Sequence, residues 1–160
     1  MSDTAPTMDA TLTRRGEGEA RWWFASLSEI VLTAEQTGGA LSVIEVTEPP
    51  GVEGPLHVHH REDETFVILE GEVTFEVAGR AFAAGAGDVV FGPRGVPHAY
   101  RVGDAGCRML FVMTPGGFEG LVRGMSVPAQ ARTLPPPPDQ EPDWDHVAAV
   151  AEAYGCELLA

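Results

Sequence analysis

Residues 51–71 read GVEGPLHVHHREDETFVILEG, and this stretch decides the fold of the chain. His57 and His59 are one residue apart, so in a β-strand both side chains project from the same face. The polar run after them is typical of a short turn, and the β-branched and aromatic run after Glu64 predicts a returning strand. Neighbouring strands lie about 4.8 Å apart, so the Glu64 carboxylate can reach the same ion as the two imidazoles.

A second stretch, residues 87–102, reads GDVVFGPRGVPHAYRV and supplies a third imidazole, His98. Three imidazoles and one carboxylate form a suitable ligand set for a divalent transition metal. Imidazole suits Zn, Cu, Fe and Ni, while the carboxylate keeps Mn possible, so the ligand types do not select the metal. We expect one divalent transition metal per chain, bound by His57, His59, Glu64 and His98.

The two stretches together resemble the two motifs of the cupin superfamily. The matching positions are Gly51, His57, His59, Glu64 and Gly71 in the first motif, and Gly87, Pro93, Gly95 and His98 in the second. One position departs from the pattern, because Val102 stands where the second motif usually has an asparagine that is not a ligand. Residues 21–24 (RWWF), 35–39 (EQTGG) and 114–118 (TPGGF) further resemble the small single-domain cupins grouped with quercetin 2,3-dioxygenase.

The rest of the chain fits the all-β cupin jelly-roll barrel (a double-stranded β-helix) that this resemblance implies. Short β-rich runs separated by Gly and Pro predict a sandwich or barrel. The predicted strands are residues 40–47, 56–59, 65–70, 72–78, 80–83, 88–92, 98–102 and 107–114. Asp143 can cap a short C-terminal α-helix whose apolar residues recur at helical spacing.

These features divide the chain into four segments. Residues 1–20 are polar with little periodicity, which predicts a disordered N-terminal tail. Residues 21–125 form the predicted cupin barrel, and residues 126–142 form a Pro-rich linker whose four consecutive prolines indicate an extended spacer. Residues 143–160 complete the chain as the C-terminal helix and tail.

Composition limits the partners. Ten basic residues against 24 acidic ones give a net charge of −14, which repels phosphate backbones and anionic lipid surfaces. All ten basic residues are Arg, so Schiff-base chemistry on a lysine is excluded. No apolar run approaches 18 residues and the N-terminus does not resemble a signal peptide, so we expect a cytoplasmic protein. Two cysteines are too few to indicate a disulfide framework.

Strand alternation predicts which side chains share the interior with the ligands. Phe66 and Ile68 should face inward with Glu64, and Tyr100 should face inward with His98. Tyr100 is therefore a candidate acid or hydrogen-bond donor, although a structural hydroxyl is an equal alternative. The resemblance implies that Glu64 is both a ligand and a catalytic base. The candidate substrate-binding residues are Phe66, Ile68, Phe91, Phe118 and Trp23.

Two of these candidates carry structural alternatives. Trp23 lies in a run of three aromatics that can pack one barrel end or a partner subunit, as well as line a substrate entrance. Phe118 follows two glycines that permit a hinge, so it can act as a mobile lid. The resemblance also implies a homodimer, for which the run at residues 22–24 offers apolar surface.

Three functions remain open. The resemblance implies a quercetin 2,3-dioxygenase-like enzyme acting on a small apolar or aromatic substrate. The second is a redox-neutral cyclase or isomerase, in which the metal stabilises an enolate as a Lewis acid. The third is a non-catalytic small-molecule binder, but the chain offers no helix-turn-helix segment of the kind attached to cupin transcription factors.

Overall fold

A computed structural model describes residues 8–159 of the chain. It contains ten strands and two short helices. Its strands are β1 (Glu19–Trp23), β2 (Ser26–Leu32), β3 (Ser42–Glu48), β4 (Glu53–His59), β5 (Asp63–Val77), β6 (Arg80–Gly85), β7 (Val89–Gly92), β8 (His98–Thr114), β9 (Val127–Pro128) and β10 (Cys156–Leu158), and its helices are α1 (Glu119–Met125) and α2 (Trp144–Ala153). The all-β class and the short C-terminal helix are confirmed.

Two long strands, β5 and β8, organise the sheet. The first half of β8 pairs with β4 and with the second half of β5, whereas its second half pairs with β3 and with the first half of β5. The rings of Phe66 and Phe111, on the two halves that pair with each other, contact the ring of Tyr100 on the opposite side, at centroid distances of 6.1 and 6.2 Å. The halves therefore enclose one interior, and its side chains form the hydrophobic core.

Each of these long strands covers two of the strands predicted from the sequence. The predicted strands 65–70 and 72–78 fall on one strand, β5, which ends at Val77, and residues 98–102 and 107–114 belong to β8. The register shifts between Ile68 and Glu70 and between Gly71 and Val73, so bulges bend the strand without ending it. Gly71 adopts a φ of 83°, and a Cβ there would lie 2.1 Å from the carbonyl oxygen of Gly106. Gly71, which separates two predicted strands, is thus required by a bend within one strand.

Other elements were not predicted. Strands β1 and β2, helix α1 and the short strands β9 and β10 all lie outside the predicted strand set. Strand β10 follows the C-terminal helix and pairs with β4, with Cys156 opposite His59. The C-terminal segment therefore returns to the sheet next to two of the histidines.

The Pro-rich segment lies against the barrel. The amide of Ala129 donates to the carbonyl of Ala20, and the indole of Trp22 donates to the carbonyl of Thr133. Arg132 also pairs with Glu29 of β2. Residues 129–133, at the start of the predicted linker, therefore form a strap over β1 and β2, and Trp22 binds this strap.

The N-terminal boundary also differs from the expectation. Strand β1 begins at Glu19, before the predicted start of the barrel, and residues 1–7 of the predicted tail lie outside the described residues. The division into four segments stays a prediction. Neither helix in residues 8–159 has the length and apolar character needed to cross a membrane.

Candidate metal centre

Three strands bring the four expected ligands together. His57 and His59 lie at the end of β4, and His57 is opposite His98 in the pairing of β4 with β8. Glu64 lies on the first half of β5, opposite Met113. Alternation along each strand turns the four side chains inward, where His59, Glu64 and His98 are buried. His57 is the most accessible of the four, with a side chain that is 13% exposed.

The four ligand atoms form a compact cluster. The Nε2 atoms of His98, His59 and His57 lie 2.8, 3.0 and 3.8 Å from the Glu64 Oε2 atom, and the Nε2 atoms of His57 and His59 are 3.1 Å apart. One potential ligand atom from each of the four residues lies within 4.8 Å of all the others. Every histidine therefore offers the same ring nitrogen to one centre.

The opposite ring nitrogens have other partners. His57 Nδ1 donates to the carbonyl of Pro55 at 2.7 Å, and His98 Nδ1 donates to the carbonyl of Val96 at 3.2 Å. His59 Nδ1 donates to the Glu62 carboxylate at 2.8 Å. With Nδ1 protonated in each ring, the Nε2 lone pairs are available for a metal ion.

The spacing of these atoms fits a metal ion. Ligand atoms about 2.1 Å from one ion lie about 3.0 Å apart at a right angle and about 3.4 Å apart at a tetrahedral angle. Four of the six separations, from 2.8 to 3.8 Å, bracket these values, and all six are within 4.8 Å. Three imidazoles and a carboxylate also match the donor preferences of a divalent transition metal. The residues present therefore fit the expected metal.

The electrostatics of the cluster follow from its partners. Burial alone would raise the pKa of Glu64, but its contacts with the rings of His57, His59 and His98, together with the positive charge of His59, lower it well below the usual value. Burial alone would lower the pKa of His59, but Glu62 and Glu64 raise it to about 9. In the metal-free protein, Glu64 is thus an anion beside a protonated His59 at neutral pH, and a metal ion would replace that proton.

Aromatic rings wall the cluster. The Phe66 ring is 5.9 Å from that of His98, and the Phe118 ring is 5.5 Å from that of His59, both centroid to centroid in edge-on geometry. Trp23 packs on Phe118 at 6.0 Å. Ile68 is fully buried in the hydrophobic core, two residues beyond Phe66 on the same strand. Phe66 and Phe118 therefore contact the ligands, while Trp23 reaches them only through Phe118.

Phe91 does not join this group. It is 56% exposed, whereas the neighbouring Val90 is buried. Phe91 pairs with Thr65, which alternates with the inward-facing Glu64 and Phe66, so its ring lies on the outer face of the sheet. Its expected position at the substrate site is wrong.

The segment carrying Phe118 is held closed by Glu119. This buried carboxylate accepts hydrogen bonds from the amide of Ala34 at 2.7 Å and from the amide of Gly117 at 3.2 Å. It also accepts from the hydroxyl of Ser42 on β3. Opening a lid at Phe118 would require these contacts to break.

Tyr100 faces the interior, but its hydroxyl is engaged. It donates to the Glu48 Oε1 atom at 2.9 Å, and the Ser26 hydroxyl donates to the same oxygen at 2.9 Å. The second carboxylate oxygen, Oε2, is buried with no hydrogen-bond partner among the described residues. Burial raises the pKa of Glu48, although the hydrogen bonds from Tyr100 and Ser26 oppose this effect.

Glu48 was missed in the sequence, although a signal for it was present. The predicted strand 40–47 ended one residue too early, whereas β3 extends to Glu48. Ile44 and Val46 face inward on this strand, so extending the alternation by two residues places Glu48 inside. Glu62 was also missed, because a polar run in a turn does not indicate which carboxylate turns inward.

Comparison with known proteins supports the resemblance. Residues 44–113 match the family model of the cupin domain. The chain is 28% identical over 144 residues to quercetin 2,3-dioxygenase of Bacillus subtilis, a match that covers 90% of this chain. It spans 42% of the length of that curated relative.

Solved structures share the fold. A predicted oxalate decarboxylase from Thermotoga maritima is 25% identical with a TM-score of 0.60, over 66% of this chain and 99% of that one. A polyketide cyclase from Streptomyces resistomycificus is 22% identical with a TM-score of 0.57, over 66% of this chain and 80% of that one. The resemblance to the cupins and the jelly-roll fold are confirmed.

Proposed function

We propose that this chain, which carries a cupin domain, is a metal-dependent dioxygenase that acts on a small apolar or aromatic substrate. The observation that carries this proposal is the convergence of three imidazole Nε2 atoms and the Glu64 carboxylate beside aromatic rings. The similarity to quercetin 2,3-dioxygenase supports the choice of reaction. The activity is a proposal for this chain, which spans less than half of that relative.

The resident cofactor in this proposal is one divalent transition metal: Fe, Mn, Ni or Cu for the dioxygenase, with Zn fitting only the redox-neutral alternative. When bound, a redox-active metal would polarise an enolate or phenolate oxygen and bring O₂ to the same site. His57, His59, His98 and Glu64 would hold it. His57 has the most exposed side chain of the four ligands, which makes its side of the cluster the natural approach for a substrate.

Glu64 is the proposed catalytic base. Its pKa lies well below the usual value, so it is an anion at neutral pH but a weak base, and it would accept the proton of a substrate hydroxyl whose own pKa the bound metal lowers. Phe66 and Phe118 contact the ligand rings and would orient an aromatic substrate by edge-to-face packing. Trp23 would support Phe118 from behind, and Ile68 would close the deeper wall.

Tyr100 has a different role in this proposal. Burial and the adjacent Glu48 raise its pKa well above the usual value, so the phenol stays protonated. Its hydroxyl already donates to Glu48, and its ring packs on Phe66 beside the metal cluster. We assign it a share in proton donation through a local change of hydrogen-bond partner, with Glu48 as the second member of the pair.

This buried acid pair favours one alternative. A redox-neutral cyclase or isomerase needs a Lewis-acid site for an enolate and a proton donor nearby, and Tyr100 with Glu48 offers such a donor. The fold shared with a polyketide cyclase is compatible with this chemistry. A non-catalytic binder would keep the same aromatic walls but show no turnover.

Two further expectations stay proposals. Within the aromatic run expected at the homodimer interface, Trp22 binds the strap and Trp23 packs on Phe118, whereas Phe24 is 46% exposed and is the member that still offers apolar surface. Val89 and Phe91, 63% and 56% exposed on β7, are the alternative apolar surface for a second copy. Light scattering would give the mass in solution, and cell fractionation would test the cytoplasmic location.

The deciding experiment combines elemental analysis with oxygen uptake. Protein purified anaerobically without added metal is analysed for bound metal and then mixed with a panel of flavonols and simple phenols. One equivalent of a redox-active metal together with oxygen uptake supports the dioxygenase. Zinc, or metal without oxygen uptake, contradicts it, and product analysis then separates the cyclase from the binder. The His59→Ala variant is the blank, because it lacks one ligand.

A further inference from the structure

The three histidines of the metal centre are not held in the same way. His57 and His98 each donate Nδ1–H to a backbone carbonyl two residues earlier in the chain. His59 alone among the three donates its Nδ1–H to a carboxylate, that of Glu62, at 2.8 Å. A carboxylate is a charged and stronger acceptor than a carbonyl, so His59 experiences a different field from its two companions.

Glu62 is placed for this contact by the turn between β4 and β5. Its neighbours in the polar run face outward: Arg61 donates to the carbonyl of Ala153, and Asp63 pairs with Arg94. Glu62 itself is 7% exposed. Burying a carboxylate is costly unless hydrogen bonds compensate it, and the contact with His59 supplies that compensation.

We infer that Glu62 is a positioning residue that holds His59 in the orientation and tautomer required to bind the metal. This inference rests on the proposed metal site. The hydrogen bond fixes the plane of the His59 ring, which is itself only 1% exposed, and directs Nε2 toward Glu64. The negative charge of the Glu62 carboxylate beside Nδ1–H increases the electron density that the His59 Nε2 atom can donate to a metal ion.

The orientations of the three histidines therefore depend on different kinds of group. Backbone carbonyls cannot be altered by mutation without changing the chain, so the orientation of His57 and His98 is built into the fold. The orientation of His59 depends on one replaceable side chain. Metal affinity can therefore be adjusted at Glu62 while all four ligands remain.

The test measures metal affinity directly. Metal-free wild-type protein and the variants Glu62→Gln, Glu62→Ala and Asp63→Asn are titrated with Co²⁺ in competition with a chelator, and the visible spectrum of bound Co²⁺ is recorded. Glu62→Gln keeps an oxygen acceptor but removes the charge, whereas Glu62→Ala removes both. Asp63→Asn is the matched control, since it removes the adjacent carboxylate, which pairs with Arg94 and does not touch a ligand. Circular dichroism confirms that each variant is folded.

The expected order of affinity is wild type equal to Asp63→Asn, then Glu62→Gln, then Glu62→Ala. The alanine variant should bind Co²⁺ about 10- to 100-fold more weakly, as is typical when the carboxylate behind a ligand histidine is lost. Partial recovery in the glutamine variant, with an altered Co²⁺ spectrum, separates ligand orientation from general destabilisation. Wild-type affinity in both folded Glu62 variants, or an equal loss in Asp63→Asn, overturns the role of Glu62. Wild-type protein that binds no Co²⁺ overturns the metal site itself.

Discussion

Glu64 and Glu48 are both buried inside the barrel, 2% and 5% exposed, yet the pKa values of their carboxyl groups are shifted in opposite directions. Burial raises the pKa of both, but three histidines around Glu64 reverse the effect and lower its pKa well below the usual value. Glu48 has only the hydroxyls of Tyr100 and Ser26, so its pKa stays raised. The partners, and not burial alone, decide which carboxyl is available as an anionic ligand and which as an acid.

The largest difference between the metal cluster around Glu64 and the surroundings of Glu48 should appear in metal loading. His59→Ala removes a buried ligand, and the bound metal should fall from about one equivalent to nearly none, since three remaining ligands leave the site incomplete. Elemental analysis after dialysis measures this. His60→Ala is the matched control, because His60 is exposed and pairs with Glu157. Retention of one equivalent in His59→Ala would show that the ligand assignment is wrong.

The two glutamates should also respond differently to the same substitution. Glu64→Gln removes one of the two buried carboxylates that face the protonated His59, and should destabilise the metal-free protein by roughly 3 kcal/mol. It should also lower turnover by about 100-fold or more through loss of the base. Glu48→Gln replaces a carboxyl that favours its neutral form, so a change below about 1 kcal/mol is expected. Urea denaturation of EDTA-treated protein measures the free energy of unfolding of each variant. Equal losses in the two variants would show that the two buried glutamates do not differ in charge state.

The metal cluster should further give the metal-free protein a characteristic pH dependence. The pKa of His59 is raised from 6.5 to about 9, so the folded protein binds a proton that the unfolded chain releases within this range. The resulting stabilisation is complete below pH 6.5 and is lost as the pH rises through about 9, a change on the order of 3 kcal/mol. Urea denaturation between these pH values measures it.

The control for this pH dependence is His59→Ala. This variant lacks the titrating group, so its free energy of unfolding should change less over the same range. A wild-type profile that stays flat between pH 6.5 and 9 would show that Glu62 and Glu64 do not hold the proton on His59.

The sequence predicted the ligands because their arrangement is local. His57 and His59 share a strand, Glu64 follows within one turn, and alternation within each strand fixes which way they face. The pairing of His98 with His57 depends on long-range register, which the spacing of the second motif supplied only through its resemblance to a known family. The four-residue cluster could therefore be named before the structure was known.

The parts that could not be predicted depend on long-range contacts. Strand β2 escaped detection because both of its faces are covered: Ser28 faces the interior, while Glu29 is buried under the strap residue Arg132. A strand covered on both sides loses the period-2 pattern of polar residues. Glu48 likewise meets Tyr100 across 52 residues of chain, and only the folded barrel brings the two together.

A smaller effect than those at the metal cluster is expected from Tyr100, which tests the surroundings of Glu48. Tyr100→Phe removes the hydroxyl that donates to Glu48 and leaves Ser26 as the donor to a carboxyl whose other oxygen already has no partner among the described residues. The free energy of unfolding should fall by about 1–2 kcal/mol, while metal loading should not change, because the hydroxyl bonds Glu48 and not a ligand.

A double-mutant cycle shows whether this loss belongs to the hydrogen bond. If the Tyr100 hydroxyl acts through Glu48, then Tyr100→Phe in the Glu48→Gln background should cost a different amount of free energy than in the wild type, because the two residues share one contact. Additive losses would mean that the hydroxyl acts independently of Glu48. Loss of bound metal in Tyr100→Phe would mean that the two regions are coupled through the aromatic contact of Tyr100 with Phe66, which itself packs on His98. Tyr100 and Glu48 would then belong to the metal centre, and the opposite pKa shifts of Glu64 and Glu48 would arise within one site.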